Sequence, residues 1–371
     1  MKKIKSLFIA ALAVLTTFSV TSCSDDDKDE VLDNYTRYQR AVDAQVSAQK
    51  KSDKAILLVA FGSTWQAAFN SFDNTVKAYQ QAFPDCDVYL SYSSAICINR
   101  AAAWEHKDDG AEQRNYYAPN FWLHAFGAVK YKQITVQSLQ VIPGEEYGRV
   151  INYIKDFGNN YLGDLDDEYL SEVEVRLGTP LLNSENDVKN VASILNEEFK
   201  EDAKTKTVAF MGHGNPSSEE HDYDIYKANV RYEQLETELQ KFSHNYFVGT
   251  VDQNANKKED VWARIKENGA FPESKEIVLN ALMSIAGDHA HNDMYGQGEE
   301  YWNAEEPDSE ENSWFEYFKN VAQYEKISTH DLPDGELRGL LDFSKILNVW
   351  IEHTKNPIEL TEVYHSMYPE E

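Results

Sequence analysis

The feature that most constrains the fold is an apolar run, residues 279–286, that ends in a cluster of polar side chains. The run predicts a buried strand because it is short, apolar and closed by a glycine, Gly287. Asp288 and His289 follow this glycine directly. Open α/β sheets place their sites at the carboxyl ends of strands, so we expect a site at this turn.

An earlier segment, residues 136–146, repeats this pattern. The apolar residues Leu139 and Ile142 match Leu282 and Ile285. The glycine and the two residues after it match as well, which pairs Gly144 with Gly287, Glu145 with Asp288 and Glu146 with His289. Two copies of one strand and turn predict two similar half-domains that face one cleft.

Strands and amphipathic helices alternate along the chain, an order that predicts parallel sheets. Strands are predicted at residues 55–61, 87–92, 132–142, 172–177, 207–211, 246–251 and 324–328. Helices are predicted at residues 36–51, 69–83, 122–129, 187–199, 226–242, 260–266 and 343–353. We predict an α/β fold with an N-terminal lobe at residues 52–186 and a C-terminal lobe at residues 187–371. An acidic insertion at residues 297–313 is expected to form a surface loop.

The first 51 residues are predicted to precede this fold. Residues 1–22 resemble a bacterial lipoprotein signal peptide, with a lysine-rich start, an apolar stretch and small residues before Cys23. Cleavage would leave Cys23 as the lipidated first residue, and residues 23–51 would form an acidic tether and a leading helix. The alternatives are an ordinary secretory signal and a transmembrane helix, for which the apolar run is short. We expect an extracytoplasmic, lipid-anchored protein, periplasmic or at the cell surface.

The amino-acid composition limits which kinds of molecule the protein is expected to bind. The net charge of −28 makes nucleic acid an implausible partner and a cation a natural one. Cys86 and Cys97 flank a predicted strand and lack the spacing of a zinc site. Export would permit a disulfide between them, and the sequence leaves its formation open.

Four polar side chains follow predicted strand ends: Glu146, His213, Asp252 and His289. Carboxyl ends of parallel strands share one edge, so these residues can converge although they are distant in sequence. Two imidazoles and a carboxylate suit Co²⁺, Fe²⁺, Ni²⁺ or Zn²⁺ and suit Mg²⁺ or Ca²⁺ poorly. They can also take protons near neutral pH. Glu146 alone would be a surface carboxylate, and its match to His289 is what makes it a candidate.

The neighbours of these residues also have structural interpretations. His213 lies between two glycines at the end of a buried strand, which favours a function over a packing role, and His289 is favoured similarly. Asp288 and Asp293 fit turn or helix-cap residues as well as site residues. For His291 a solvated or supporting role is favoured over a ligand role.

The motifs at these turns resemble those of the anaerobic sirohydrochlorin cobaltochelatases, the CbiK type of class II tetrapyrrole chelatases. The resemblance extends from about Ala55 to at least Met294. Its motifs are QSL at 137–139, GEEY at 144–147, LGTPLL at 177–182, MGHG at 211–214 and AGDHAHNDM at 286–294. The family implies two Rossmann-like lobes with parallel sheets and a tetrapyrrole bound in the cleft between them.

The resemblance also implies roles for the residues at the turns. His213 and His289 would be the metal-ligating, proton-accepting pair, and Glu146 the cleft glutamate that acts with them. Asp252 stands where the family has a third metal-binding carboxylate, normally a Glu. The implied substrate contacts are Ser63, Ser138 and Gly144. Gln140 departs from the family, which often has His at this position.

The implied function is a lyase reaction in cobalamin or tetrapyrrole metabolism. The enzyme would insert Co²⁺, or Fe²⁺, as substrate metal into sirohydrochlorin or a related tetrapyrrole without ATP. The sequence has no phosphate-loop motif, so no nucleotide is expected. We expect a homo-oligomer that contacts the membrane through its lipid anchor alone. The export signal leaves an alternative, a tetrapyrrole (haem) or metal-binding lipoprotein without turnover.

Overall fold

The computed structural model describes residues 33–215, 228–251, 253, 255–296, 302–333 and 335–359. Its strands are β1 Lys54–Ala60, β2 Asp87–Tyr92, β3 Gln133–Ser138, β4 Glu174–Gly178, β5 Thr207–Gly212, β6 Tyr246–Thr250, β7 Glu276–Ala281, β8 Lys326–Thr329 and β9 Ile358–Glu359. Its α-helices are α1 Asn34–Gln49, α2 Gln66–Ala82, α3 Ala95–Ala102, α4 Pro119–Ala128, α5 Glu145–Gly158, α6 Asp167–Glu172, α7 Glu185–Phe199, α8 Val230–Gln240, α9 Lys258–Glu267, α10 Trp314–Asn320 and α11 Ser344–Lys355. The predicted signal peptide and Cys23 lie outside the described residues.

The strands form two sheets of the same topology. The first sheet has the order β2-β1-β3-β4-β9 and the second the order β6-β5-β7-β8. All pairings are parallel except the one between β4 and β9. Without β9, the two orders correspond strand for strand, which confirms the predicted α/β fold with two similar lobes.

The sequence repeat corresponds to a repeated backbone contact. The N–H of Leu139, just after β3, donates to the carbonyl of Val59 on β1 at 2.9 Å. In the second lobe the N–H of Leu282, just after β7, donates to the carbonyl of Met211 on β5 at 2.7 Å. The matched turns therefore leave their sheets at equivalent points.

Both faces of the first sheet are covered, which explains the continuous apolar run in β1. Side chains alternate across a strand, so Ile56 and Leu58 lie on one face and Leu57 and Val59 on the other. Ile56 and Leu58 belong to a core cluster that also contains residues of β5 and β7. Leu57 and Val59 pack in a second cluster with residues of α4 and α5. The two lobes therefore share one core, which fixes the strand ends of one lobe relative to the other.

The C-terminal segment corrects the predicted division into lobes. Residues 344–359 were assigned to the second lobe, but Ile358 pairs with Leu177 of β4 in the first sheet. The hydroxyl of Thr354 on α11 also donates to the side-chain oxygen of Gln137 on β3, at 2.7 Å. Helix α11 and β9 therefore pack on the first sheet. The other boundaries stay predictions.

Several predicted element boundaries differ from the structure. The predicted strand at 132–142 ends at Ser138, and the apolar run at 279–286 leaves its strand after Ala281. In both places the remaining apolar residues form the turn. Helices α3, α5, α6 and α10 were not predicted. The described part of the acidic insertion, residues 302–313, contains neither helix nor strand, as expected for a loop.

Two further findings concern the thiols and the membrane. Cys86 and Cys97 are free thiols. Burial raises the pKa of both groups, that of Cys86 to about 11. Within the ranges that the structure describes, no helix combines the length and apolar composition needed to cross a bilayer.

Candidate active site

A cavity of about 390 Å³ lies where β1, β3, β5 and β7 end, between the two lobes. Its size is within the range of small-molecule sites. Most of the wall comes from the four turns that follow these strands: residues 61–63, 140–146, 213–215 and 282–289. Cys97, Arg149 and Tyr232 complete the lining. His213, His289 and Glu146 all line it, so the predicted convergence of these three strand ends is observed.

The two imidazoles lie edge to face beside each other in the cavity. The ring centroids of His213 and His289 are 4.6 Å apart, with 84° between the ring planes. Nδ1 of His213 lies 2.8 Å from the carbonyl oxygen of Gly214, and Nδ1 of His289 lies 2.7 Å from Oδ2 of Asp293. Carbonyl and carboxylate oxygens accept hydrogen bonds, so in each neutral ring Nδ1 carries the proton and Nε2 carries the lone pair. This is the tautomer that presents Nε2 to a metal.

The two glycines beside His213 are required by close approaches of neighbouring groups. A Cβ on Gly212 would lie 2.5 Å from Cε1 of Tyr232. Gly214 has a φ of +88°, and a Cβ there would lie 2.9 Å from the backbone nitrogen of Gln253. Residues with side chains rarely adopt that backbone conformation. The Gly-His-Gly motif therefore allows β5 to end in a tight turn that places the imidazole at the cavity.

Asp293 reaches His289 because the chain coils directly after the ring. Residues Ala290–Tyr295 form a π-helical turn, a rare conformation that is frequent at functional sites. His289 and Asp293 are four residues apart, so this coil places them on one face. From the sequence, Asp293 fitted a helix-cap residue as well as a site residue. In the structure its carboxylate is the hydrogen-bond partner of the His289 imidazole.

We predict that Asp293→Ala weakens binding of Co²⁺ by about 10- to 100-fold, because the carboxylate orients the His289 ring and raises its basicity. Calorimetric titration of Co²⁺ into the protein measures this change. The matched control is Asp164→Ala, which removes a carboxylate 3.0 Å from Nε2 of His124, outside the cavity. Equal Co²⁺ affinities of Asp293→Ala and wild type would contradict the assigned role.

Glu146 lies in the first turn of α5 and faces the two histidines. Burial raises the pKa of its carboxyl, and the nearby His213 and Arg149 offset part of this effect. Glu145, beside it, forms an ion pair with Arg149 at 2.6 Å. The cavity thus holds a carboxyl that retains its proton to higher pH than an exposed glutamate.

This raised pKa predicts a pH-dependent stability. The folded state binds the proton of Glu146 more tightly than the unfolded chain, so the stabilisation is present below the ordinary pKa and is lost as pH rises through the folded value. We expect Glu146→Gln to unfold at higher denaturant concentration than wild type at pH 7. Each unit of raised pKa corresponds to about 1.4 kcal/mol.

Urea unfolding of the metal-free protein between pH 4 and pH 8 tests this expectation. The control is Glu145→Gln, which removes an ion pair with mostly exposed partners and should change the free energy of unfolding by about 1 kcal/mol or less. A Glu146→Gln variant less stable than wild type at pH 7 would show that the carboxylate stabilises the fold.

Two of the three predicted substrate contacts reach the cavity. Ser63 lines it beside Gly287. Gly144 lines it as well, and a Cβ there would lie 2.3 Å from Oδ1 of Asn215. The same Oδ1 accepts a hydrogen bond from the N–H of Glu145 at 3.3 Å. Gly144 is therefore the place where the turn of the first lobe touches the turn of the second.

Ser138 does not line the cavity, which corrects its prediction as a substrate contact. It is the last residue of β3, and its side chain is fully buried. Its hydroxyl donates to the side-chain oxygen of Gln140. Ser138 thus contacts a cavity residue rather than the cavity itself.

The predicted third ligand, Asp252, lies outside the described residues. Within the described ranges, no three His, Cys, Asp or Glu side chains are placed together to hold a metal ion. His213 and His289 are accordingly the part of the predicted ligand set that the structure describes.

A second group of side chains supports the β7 turn from the first lobe. Nε1 of Trp65 donates to Asp288 at 2.5 Å, and Arg100 contacts the same carboxylate at 3.4 Å. The His291 ring stacks on Trp65 at 3.7 Å, and its Nδ1 lies 2.9 Å from the carbonyl oxygen of Gly287. Burial lowers the pKa of His291. His291 therefore has a packing role between the lobes, and sequence spacing could not reveal Trp65 as its partner.

Fold and site together define a two-lobed α/β protein whose cleft holds two histidines at the ends of neighbouring strands, β5 and β7. The chain belongs to the cobalt chelatase (CbiK) family, whose model matches residues 54–359. This confirms the predicted family and that the protein is an enzyme of the chelatase class.

The chain is similar to two sirohydrochlorin cobaltochelatases and to one solved chelatase structure. It is 25% identical over 304 residues to the sirohydrochlorin cobaltochelatase CbiKC of Nitratidesulfovibrio vulgaris, which covers 81% of this chain and 89% of that protein. It is 24% identical over 253 residues to the sirohydrochlorin cobaltochelatase of Salmonella typhimurium, which covers 67% of this chain and 83% of that protein. The cobalt complex of the sirohydrochlorin chelatase SirB from Bacillus subtilis subspecies spizizenii has a TM-score of 0.48 at 11% identity, covering 82% of this chain and 94% of that one.

Proposed function

We propose that this protein inserts Co²⁺, or Fe²⁺, into sirohydrochlorin or a related tetrapyrrole, without ATP. The observation that carries the proposal is the pair of imidazoles in the interlobe cavity, with rings 4.6 Å apart and both Nε2 atoms in the metal-binding tautomer. A carrier that only held a macrocycle would have no need for a metal-ligating pair beside a half-buried, protonatable carboxyl.

The reaction exchanges one metal ion for two protons. The M²⁺ ion loses water, passes to the four ring nitrogens, and two pyrrole N–H bonds break. Nε2 of His213 and of His289 would first bind the ion, since neutral imidazole suits Co²⁺ and Fe²⁺. Once the ion has moved to the macrocycle, the same lone pairs can accept the two protons. Glu146 is placed in the same cavity to receive a proton from either ring or from the macrocycle.

The relatives support this choice of substrate. Both similar proteins named above are sirohydrochlorin cobaltochelatases, and each is covered over most of its length. Asp252, one methylene shorter than the usual Glu, would be the third ligand of the ion. The place of the reaction in cobalamin or tetrapyrrole metabolism follows from this substrate.

The proposed location is outside the cytoplasm, with Cys23 lipidated. Support comes from the sequence alone: a basic start, an apolar stretch and small residues before Cys23, then the acidic tether. We also propose that several copies of the protein assemble into a homo-oligomer. The lipid anchor would keep the cleft close to a membrane.

A second candidate is an extracytoplasmic carrier of a tetrapyrrole such as haem, or of a metal ion, without turnover. The observation that favours it is the lipoprotein signal, together with Asp252 in place of a Glu. In such a carrier the cavity would bind the macrocycle without exchanging its protons.

An insertion assay distinguishes the two functions. The chain from Ser24 onward is mixed with sirohydrochlorin and Co²⁺ under anaerobic conditions in buffer without nucleotide, and the absorbance change of metal insertion is followed. Acceleration over a protein-free control supports the chelatase. Tight binding of the macrocycle or of haem with no acceleration would reject turnover and favour the carrier.

A further inference from the structure

The charged side chains in the cavity walls are mostly acidic. Among the described lining residues, the carboxylates are those of Glu145, Glu146 and Asp288, and the one guanidinium is that of Arg149. No lysine is among these described residues. The chain as a whole has a net charge of −28, so an anionic ligand approaches a repelling surface. Within the described walls, Arg149 is therefore the side chain that can attract an anionic group of a ligand.

Arg149 reaches the cavity from α5, one turn after the cavity residues Glu145 and Glu146. Its Nη2 donates to Oε1 of Glu145 at 2.6 Å. The side chains of this ion pair are 56% exposed for Arg149 and 40% exposed for Glu145. Ion pairs between such exposed side chains are weak. A carboxylate on a ligand can therefore compete with Glu145 for the guanidinium.

The guanidinium also has donors that the ion pair leaves unused. An arginine carries five N–H donors in one plane, and a carboxylate can accept two of them at once. Among the described residues, the hydrogen bond of the Arg149 side chain is the one that Nη2 makes with Glu145. Nε and Nη1 are accordingly available, and the exposure of the side chain gives a ligand access to them.

The rest of the wall suits the flat, apolar faces of a tetrapyrrole. Its apolar lining residues include Phe61, Ile142, Leu282, Met283 and Ile285. Arg149 lies close to the proposed proton acceptor in the same cavity: burial raises the pKa of Glu146, and the charges of His213 and Arg149 lower it. A macrocycle whose rim contacts Arg149 thus lies beside the groups assigned to the metal and proton transfers.

We propose that Arg149 is a specificity-determining residue whose guanidinium binds a peripheral carboxylate of the tetrapyrrole. The acetate and propionate side chains at the rim of sirohydrochlorin supply such groups. This inference rests on the proposed function, because it requires a macrocycle in this cavity. It gives Arg149 a part in substrate binding and none in the metal or proton transfers. Glu145 then competes with the substrate for the same guanidinium.

The test is a fluorescence titration of metal-free sirohydrochlorin into the wild type and Arg149→Gln. Loss of hydrogen bonds between charged groups should raise Kd about 10- to 100-fold. Arg149→Lys keeps the charge but loses the planar fork of donors, so it should raise Kd less. Glu145→Gln should lower Kd, because it removes the competing carboxylate. The matched control is Arg176→Gln, which breaks an ion pair with Glu174 outside the cavity and should bind as wild type.

Two further measurements separate a direct contact from a structural role. With the methyl esters of the same macrocycle, wild type and Arg149→Gln should bind equally, because the charged acceptor is absent. In the insertion assay, Arg149→Gln should raise KM more than it lowers kcat. The urea midpoint of Arg149→Gln should stay close to that of wild type, since the ion pair is exposed. Arg149→Lys takes its place if the glutamine variant does not fold.

Equal Kd values of wild type and Arg149→Gln for the free acid would overturn the inference, and the proposed function would stand if the wild type inserts Co²⁺. An equal loss of affinity for the free acid and for its methyl esters would also overturn it, because the effect would then be structural. Binding that depends on Arg149 without any insertion would reject the chelatase and leave the assignment of Arg149 intact.

Discussion

His213→Ala and His289→Ala are each expected to lower the rate of metal insertion by about a thousandfold, within the range of lost acid-base catalysis. Each ring supplies one Nε2 to the ion and one acceptor for a pyrrole proton, and both rings follow neighbouring strands of the second sheet, β5 and β7. Removal of either ring leaves the other without a partner across the 4.6 Å gap between the rings. Binding of the metal-free macrocycle should stay within about threefold of wild type, since neither ring is needed to hold the macrocycle.

Single-turnover absorbance measurements under anaerobic conditions, with fluorescence titration of the macrocycle, test both parts of this prediction. The matched control is His291→Ala, two residues from His289, whose ring stacks on Trp65 and does not line the cavity. It should insert metal within a few-fold of the wild-type rate. Wild-type rates in both His213→Ala and His289→Ala would refute the mechanism.

Gly339→Ala is expected to cause the largest loss of stability among the single changes considered, about 3 kcal/mol. A Cβ at this position would lie 2.4 Å from Cα of Ile285 and 2.7 Å from the nitrogen of Ala286. These are backbone atoms, so a rotamer change cannot relieve the clash. The segment is also held by hydrogen bonds from the N–H of Leu340 to the carbonyl of Met283, at 2.8 Å, and from that of Leu341 to Ser284, at 2.9 Å.

The same change should also impair insertion, because residues 282–289 form one wall of the cavity. Urea unfolding gives the change in stability, and the insertion assay gives the change in rate. Gly158→Ala is the control: a Cβ there meets no heavy atom within 4 Å, and it should stabilise the end of α5 by about 0.5 kcal/mol. A Gly339→Ala protein as stable as wild type would mean that the 283–286 turn can move freely.

The predicted fold followed from features that are local in sequence. Alternating strands and helices define parallel sheets, and the match of residues 136–146 to 279–289 identified equivalent turns in two lobes. The segment 344–359 could not be placed in this way. Residues 344–359 have an ordinary helical pattern, and only the contacts of Thr354 and Ile358 with β3 and β4 assign them to the first lobe.

The site residues that could be predicted are those whose metal-ligating or proton-accepting side chains directly follow a predicted strand. Glu146, His213 and His289 follow buried strands, and parallel topology brings such positions together. Contacts between lobes were not predictable, because the stacking of Trp65 on His291 joins residues more than 200 positions apart in sequence. The prediction of Ser138 as a substrate contact was wrong. A resemblance to a family indicates which position corresponds to a family residue, but burial decides whether the side chain at that position reaches the cavity.

The most direct test of the account is to locate the metal. Crystals of the chain from Ser24 onward, soaked with Co²⁺ and measured at the cobalt absorption edge, give an anomalous difference map. The account predicts one strong peak in the interlobe cavity, about 2.1 Å from Nε2 of both His213 and His289, similar to metal–imidazole distances in other proteins. A cavity without a peak, with cobalt bound instead by the acidic residues 305–311, would contradict the claim that the two imidazoles deliver the ion.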